Sequence, residues 1–406
     1  MTYDLSQQFV VGISSSALFD LKEEARIFRE DGLQAFINYQ REREDVNLSP
    51  GSAFPLIKGL LNFNIDPERP KVEVILMSRN HPDVSLRVFN SIDHHGLGIS
   101  RASLTGGDPL EPYLQAFNVK LFLSQSAADV QAAANQGVAA SLIYSPPPAL
   151  ETAPTQIRVA FDGDCVVFSD EAQRIFDRGG LSAFHEYEKA NARKELPAGP
   201  FAPLLRFLSE NQTVDPKKSP VRVALITDRN SPAHERAIRT LRRWNVRIDE
   251  AHFLGGVAKP NFLTAFRAHI FFDDKEEYCK AASVRVPTGQ VFMPASASGE
   301  ITVSLRTSDA SSGESQFLVV CSKYLGGDFN ESEAELSQWF KLKLASLSED
   351  VRDDFLEELE GSALGTPKGK QRRSAAPKDQ PKEKLRVFLD RLLAKHKARN
   401  LGSSND

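Results

Sequence analysis

Residues 157–164, IRVAFDGD, decide the fold: a short apolar run ends in two aspartates separated by one glycine. Two later runs, VRVALIT at residues 221–227 and HIFF at residues 269–272, have the same apolar character. Such runs are typical of parallel strands that helices cover on both faces. The apolar residues between the first two runs recur at helical spacing. The pattern predicts an α/β fold with a helical cap inserted at about residues 170–215.

The chain also repeats itself, because residues 10–135 and 157–285 run in parallel at an offset of 148 or 149. Residues 17–42, ALFDLKEEARIFREDGLQAFINYQRE, reappear as residues 166–190, VVFSDEAQRIFDRGGLSAFHEYEKA. Self-similarity over this length indicates a duplicated structural unit. We therefore expect tandem halves, each built on parallel strands.

The repeat predicts the domain boundaries. We expect the two halves at residues 1–150 and 151–325, followed by an acidic helical extension at residues 326–360. Residues 361–406 read as a disordered basic linker and a basic amphipathic helix. That helix is typical of a segment that docks an unidentified partner or a second copy of the chain. An anionic membrane and a nucleic acid are the alternatives.

Composition excludes several classes of protein. The 406 residues are 41% hydrophobic, which is sufficient for large buried cores, and the net charge of −4 argues against nonspecific nucleic-acid binding by the whole chain. No basic start precedes an apolar stretch, and no apolar run approaches the roughly 18 residues of a membrane span. We expect a cytoplasmic protein without a membrane span. Cys165, Cys279 and Cys321 form no CxxC pair, so we expect reduced, buried thiols.

The first chemical signal is the pair Asp162 and Asp164, with Gly163 permitting a tight turn directly after the strand. Carboxylates at the carboxyl end of a central parallel strand face the crevice in which such folds bind ligands. A hard divalent ion with oxygen ligands, magnesium by preference, would allow both to be buried in the ionised form. A lone DxD is also typical of a solvated turn, so this signal alone decides little.

Three further signals follow in order along the chain. Thr227 ends the second apolar run, Lys259 follows a GGVA loop, and Asp273 and Asp274 end the third run. A strand-end hydroxyl and an ammonium suit phosphoryl oxygens, and the second acidic pair would complete a magnesium site. Together these residues favour a phosphate-ester site. The predicted metal ligands are Asp162, Asp164, Asp273 and Asp274.

These four signals resemble the motifs of the haloacid dehalogenase superfamily of phosphotransferases, namely FDGD, a strand-end Thr, an isolated Lys and a strand-end DD. The resemblance implies a Rossmann-like fold in each half and an Asp162 nucleophile that forms an aspartyl-phosphate. Asp164 would act as general acid and then as general base. Thr227 and Lys259 would position and neutralise the phosphoryl group, and Mg²⁺ would be the cofactor.

Residues 8–292 resemble the cytosolic 5'-nucleotidase type I family more closely, through long segments such as VVGISSSALFDL at 10–21 and EAHFLGGVAKPNFLTAFRAHIFFDD at 250–274. The resemblance implies magnesium-dependent hydrolysis of nucleoside 5'-monophosphates, notably AMP and some pyrimidine deoxynucleotides. Two alternatives stay open: a phosphatase for another small phosphate ester, and a nonenzymatic nucleotide-sensing or scaffold protein. A nucleotide effector and self-association stay open as partners.

The first half lacks the chemical residues at the equivalent positions. Ile13 stands at the position of Asp162, Ser15 at that of Asp164 and Leu110 at that of Lys259, so we expect this half to be inactive. Its polar strand ends suit either a scaffold or a contact to nucleotide. The substrate-binding candidates are Gly163, Thr227 and Asp228 in the second half and Ser14, Ser15, Asn80 and His81 in the first.

Overall fold

The computed structural model describes residues 4–147 and 150–295. The predictions of a helical extension at residues 326–360 and of a basic linker and helix at residues 361–406 fall outside the described residues, as does Cys321. The strands are β1 (Phe9–Ile13), β2 (Val72–Ser78), β3 (Arg101–Leu104), β4 (Leu121–Ser124), β5 (Ala139–Ile143), β6 (Ile157–Phe161), β7 (Val221–Thr227), β8 (Glu250–Phe253), β9 (Ile270–Asp273) and β10 (Thr288–Val291).

Helices connect these strands. They are α1 (Ser15–Leu18), α2 (Lys22–Glu42), α3 (Phe54–Leu61), α4 (Leu86–His94), α5 (Glu111–Ala116), α6 (Ala127–Asn135), α7 (Glu171–Ala190), α8 (Ala202–Glu210), α9 (His234–Arg243), α10 (Pro260–Phe266) and α11 (Glu276–Ser283). None of the helices in the described ranges is long and apolar enough to cross a membrane.

The strands form one mostly parallel sheet in the order β3-β2-β1-β4-β5-β10-β9-β6-β7-β8. This confirms the α/β fold predicted from the apolar runs. Strands β1–β5 and β6–β10 have the same internal order, 3-2-1-4-5, and are parallel within each set. The two sets join through β5 and β10, which pair antiparallel with Gly289 opposite Ile143.

The antiparallel junction sets the direction of the two halves. Because every strand of the first half runs opposite to every strand of the second, their carboxyl ends lie at opposite edges of the sheet. A parallel α/β sheet binds ligands at the carboxyl ends of its strands, beside the point where the strand order reverses. The molecule therefore has two separate crevices, one for each half.

Each half contains the same internal contacts, at positions related by the offset found in the sequence. The amide of Leu48 donates to Ser91 Oγ at 2.9 Å, and the amide of Leu196 donates to Thr240 Oγ1 at 2.9 Å. α2 is kinked at Gly32 and α7 at Gly180, both with non-helical backbone angles. These parallels support our interpretation that the halves arose by duplication.

The inserted segment of the second half contains two helices with different surroundings. α7 exposes most of its length, whereas α8 buries Leu204, Leu205 and Leu208. α8 also reaches the first half, where Phe207 stacks on Phe9 with ring centroids 4.7 Å apart. α7 is therefore the cap element beside the strand ends, and α8 belongs to the layer that covers the sheet.

Candidate active site

Asp162 follows β6 directly and is 6% exposed. Its amide donates to the carbonyl of Phe272 at 2.8 Å, which fixes the chain between β6 and β9. Gly163 comes next, and a Cβ atom there would lie 2.9 Å from Thr227 Oγ1. A side chain larger than hydrogen at residue 163 would therefore push Thr227 away from Asp162. The DGD spacing serves close approach as well as a turn.

Lys259 immediately precedes α10, and its side chain lies between two of the predicted carboxylates. Nζ donates to Asp162 Oδ1 at 2.7 Å and to Asp273 Oδ2 at 2.6 Å. Burial opposes the charge on this ammonium, but the two carboxylates outweigh that effect and raise the pKa of Lys259 above its ordinary value. Lys259 therefore stays charged, and its ammonium is fixed beside Asp162.

Asp162, Asp273 and Asp274 form an acidic triad whose ligand atoms all lie within 4.8 Å of one another. Burial, reinforced by the neighbouring carboxylates, raises the pKa of Asp273 to about 6 and that of Asp274 to about 7. Burial likewise raises the pKa of Asp162 above its ordinary value, although Lys259 opposes the rise. The three carboxylates repel one another when all are ionised, and a divalent cation would compensate their charge. Their oxygens are also the hard donors that such a cation prefers. The triad could therefore hold a metal ion.

Thr227 ends β7 and is 1% exposed, and the amide of Arg229 donates to its Oγ1 at 3.3 Å. Burial raises the pKa of the Tyr278 hydroxyl above its ordinary value, and a hydrogen bond that this hydroxyl donates to Asp228 reinforces the rise. The structure therefore places Thr227 and Gly163 beside Asp162. Asp228 is engaged with the side chain of α11.

Asp164 has a different partner from the other acidic residues. Arg229 Nη2 donates to its Oδ1 at 2.7 Å and Arg229 Nε donates to its Oδ2 at 3.0 Å. In the described residues, the group that could bind a metal does not include the Asp164 carboxylate. The side chain of Asp164 is thus free of the triad and held by an arginine fork.

The sequence patterns did not point to Arg229 or to its buried partner Glu188 on α7. Arg229 Nη1 donates to Glu188 Oε2 at 2.5 Å, and both side chains are almost completely excluded from solvent. The TDRN segment that begins at Thr227 placed Arg229 next to a predicted site residue. The charge at position 188, where the first half has Gln40, was a second available signal.

The structure does not bring the first-half candidates into this site. Ser14 and Ser15 follow β1, and Asn80 and His81 follow β2, all at the edge of the sheet opposite Asp162. Ser14 caps α1 by accepting from the amide of Ala17 at 3.1 Å. His81 Nδ1 accepts from a backbone amide at 3.3 Å. A nucleotide contact by these residues therefore stays a prediction, and it would lie apart from Asp162.

The comparison with known protein families decides the relationship. The model of the 5'-nucleotidase family matches residues 1–298. The chain belongs to the 5'-nucleotidase family. The similarity to this family predicted from the sequence is thereby confirmed, and it covers both halves of the sheet.

A curated relative of this 5'-nucleotidase family member is cytosolic 5'-nucleotidase 1B of Homo sapiens. It is 36% identical over 276 residues, which is 65% of this chain. The matched region spans 45% of the length of that relative. No solved structure was found to be similar to the chain.

Proposed function

We propose that the chain is a magnesium-dependent 5'-nucleotidase, which hydrolyses nucleoside 5'-monophosphates to nucleoside and phosphate. The observation that carries the proposal is the cluster at the ends of β6 and β9, where Lys259 bridges Asp162 and Asp273 beside Asp274. A buried nucleophile, a fixed cation and an acidic triad are the groups that phosphoryl transfer needs for positioning and charge stabilisation.

The proposed reaction has two steps. In the first, a carboxylate oxygen of Asp162 attacks phosphorus, the bond from phosphorus to O5' breaks, and Asp164 gives a proton to the leaving O5'. In the second, Asp164 takes a proton from a water molecule that attacks the aspartyl-phosphate, which releases phosphate and restores Asp162. Lys259 and Thr227 stabilise the phosphoryl oxygens in both steps.

The residues that would hold magnesium are Asp162, Asp273 and Asp274. Their donors are all carboxylate oxygens, which is the chemistry that this cation prefers. When bound, magnesium would neutralise charge on the phosphoryl group and help to orient it. Asp164 would contribute its backbone carbonyl, as the resemblance to the superfamily implies, since its side chain is engaged with Arg229.

The substrate class rests on family membership and on the printed name of the human relative. AMP and pyrimidine deoxynucleotides are the substrates that the sequence resemblance favours, and the cytoplasm is the proposed location. A phosphatase for another small ester is the second candidate, because Lys259 and the triad would contact only the phosphate of a substrate. A nucleotide effector and self-association remain proposals for the whole protein.

The test measures phosphate release from AMP, CMP, dCMP, IMP and a sugar phosphate, with and without magnesium. We expect magnesium-dependent turnover of nucleotides that Asp162→Asn abolishes, because an amide cannot form the phosphoenzyme. Asp177→Asn, the same change at an exposed position of α7, serves as the matched control and should behave as wild type.

The other outcomes separate the candidates. Preference for the sugar phosphate would indicate a different phosphatase. Absence of turnover on all five esters would favour the nonenzymatic sensor or scaffold. Equal turnover by wild type and Asp162→Asn would show that Asp162 is not the nucleophile.

A further inference from the structure

Arg229 lies at the centre of a buried chain of charges that begins at Asp164. Its guanidinium donates hydrogen bonds to both carboxylate oxygens of Asp164 and, through Nη1, to Glu188 Oε2 at 2.5 Å. The side chains of Arg229 and Glu188 are 1% and 0% exposed, against 18% for Asp164. Asp164 is therefore the one member of this trio that reaches the crevice.

Aromatic rings close the surroundings of Arg229. Its guanidinium carbon lies 5.6 Å from the ring centroid of Phe168 and 5.7 Å from that of Phe184. A two-pronged guanidinium–carboxylate pair in such a dry setting has a strong geometric preference. The plane of the Asp164 carboxylate is therefore fixed by Arg229, and Arg229 is fixed by Glu188.

A second arginine continues the chain of charges. Arg236 Nη1 donates to Glu188 Oε1 at 2.9 Å, and Arg236 Nη2 donates to Glu171 Oε1 at 2.9 Å. Its Nε donates to the carbonyl of Lys194 at 3.1 Å. These bonds fasten both ends of α7 to α9.

The first half keeps contacts like those that Arg236 makes in the second half. Arg87, the counterpart of Arg236, donates from Nη1 to Glu24 Oε1 at 2.6 Å and from Nε to the carbonyl of Val46 at 2.8 Å. An arginine that bonds both a helix glutamate and a loop carbonyl is therefore present in both halves. It belongs to the fold, because it occurs where no catalytic carboxylate exists.

The first half has no counterpart of the charged group that Arg229 forms with Asp164 and Glu188. Ser15, Asn80 and Gln40 stand where the second half has Asp164, Arg229 and Glu188, so three charged residues correspond to three neutral ones. Gln40 still accepts a hydrogen bond from Arg87 Nη1 at 3.1 Å, although its Nε2 is buried without a partner among the described residues, so the fold accommodates a neutral side chain at that position. Folding alone does not require Glu188 or Arg229. They occur together with Asp164.

We propose that Arg229 and Glu188 are positioning residues that orient the Asp164 carboxylate for proton transfer. The inference rests on the proposed function of Asp164 as general acid and base. Glu188 is the one buried acidic residue of α7, and it fixes the position of Arg229. The cap helix α7 therefore helps to position Asp164. The side chains of Arg229 and Glu188 are both buried and not open to the crevice, so both act through Asp164.

The test compares kcat/KM for AMP and for an aryl phosphate, because a phenolate leaves without a proton whereas the nucleoside alkoxide needs one. The double variant Arg229→Asn with Glu188→Gln places the neutral residues of the first half at two of these three positions, keeps Asp164, and leaves Arg236 paired with Glu171. We expect kcat/KM for AMP to fall about a hundredfold and that for the aryl ester by less than about tenfold. The melting temperature should stay near that of wild type.

Arg229→Lys is the second variant, because it keeps the positive charge but cannot hold both oxygens of Asp164. It should show the same dependence on the leaving group, and it decides the question if the double variant fails to fold. Gln40→Ala, at the first-half position that matches Glu188, is the control and should leave both rates within about twofold of wild type.

The outcomes are separable from those of the proposed function. Equal losses on AMP and on the aryl ester, or no loss in either variant, would overturn the positioning role. If wild type hydrolyses the aryl ester and an alkyl phosphate but no nucleotide, the nucleotidase proposal fails. The same two-ester comparison, with the alkyl phosphate in place of AMP, would then still decide the role of Arg229.

Discussion

Asp273 and Asp274 link metal binding to pH through their raised pKa values of about 6 and about 7. A carboxyl group whose pKa is higher in the folded than in the unfolded chain binds its proton more tightly when folded. The free energy of unfolding of the metal-free protein should therefore fall as the pH rises from about 4 through about 7. Magnesium binds the ionised carboxylates and should reverse this loss.

Thermal melts at about pH 5.5 and about pH 8, with and without magnesium, measure this linkage. We expect magnesium to raise the melting temperature more at the higher pH, because protons compete with the cation at the lower one. Sodium chloride at equal ionic strength controls for general screening. Asp274→Asn removes the carboxyl group whose pKa is raised to about 7 and should reduce the pH dependence. A magnesium effect that is larger at pH 5.5 would contradict the prediction.

Single residues differ in how well the sequence predicts their place. Asp162, Thr227 and Asp273 each end an apolar run, and the carboxyl ends of parallel strands meet at one edge of a sheet, so their proximity follows from chain order. Arg229 and Glu188 are 41 positions apart in the chain, and their contact depends on how α7 packs over the loop after β7. No local pattern encodes that packing.

At the scale of elements, α7 is interrupted by Gly180, whose φ of 67° and ψ of −166° are almost exclusive to glycine. A Cβ atom there would meet nothing within 4 Å, so backbone strain is the whole effect of a substitution. We expect Gly180→Ala to lower the free energy of unfolding by about 1–3 kcal/mol. We also expect it to lower kcat, because α7 carries Glu188 and through it Arg229.

Gly32→Ala is the matched control, because Gly32 kinks α2 with φ of 85° and ψ of 179° and also has no neighbour within 4 Å. Chemical denaturation should show a similar loss of stability for this variant, and phosphate release should be unchanged. If both substitutions lower kcat equally, the kink in α7 has no special connection with catalysis.

The helical insertion illustrates what periodicity can and cannot predict. Helical spacing of apolar residues correctly indicated helices between β6 and β7, since a buried face requires it. It did not separate α7 from α8, because both helices have an apolar stripe. The neighbours of that stripe distinguish them: Phe207 of α8 stacks on Phe9 of the first half.

At the scale of the whole molecule, the shared sheet was outside the reach of the sequence. β10 reads TGQV, so it lacks the apolar run that marks the strands predicted from the sequence. Its antiparallel pairing with β5 reverses the first half and moves Ser14 and Asn80 away from Asp162. Equivalent positions in a repeat are therefore equivalent in local structure, but they need not share a site.

The two halves also cover each other, which makes the first half a structural requirement for the second. A Cβ atom on Gly59 of α3 would lie 2.8 Å from the Cβ of Ile157 in β6, the strand that leads to Asp162. Neither atom can move without shifting its backbone, so Gly59→Val should lower the free energy of unfolding by about 1–3 kcal/mol or more. Because the sheet is continuous, calorimetry should show one transition at a lower temperature.

Lys58→Ala, on the same helix but half-buried, is the control and should melt close to wild type. Two separate transitions in Gly59→Val would mean that the halves unfold independently. A single lowered transition, with phosphate release lost at the same temperature, would show that the inactive half stabilises the strand that presents Asp162. In that case the first half contributes to catalysis by packing against β6, the strand that leads to Asp162.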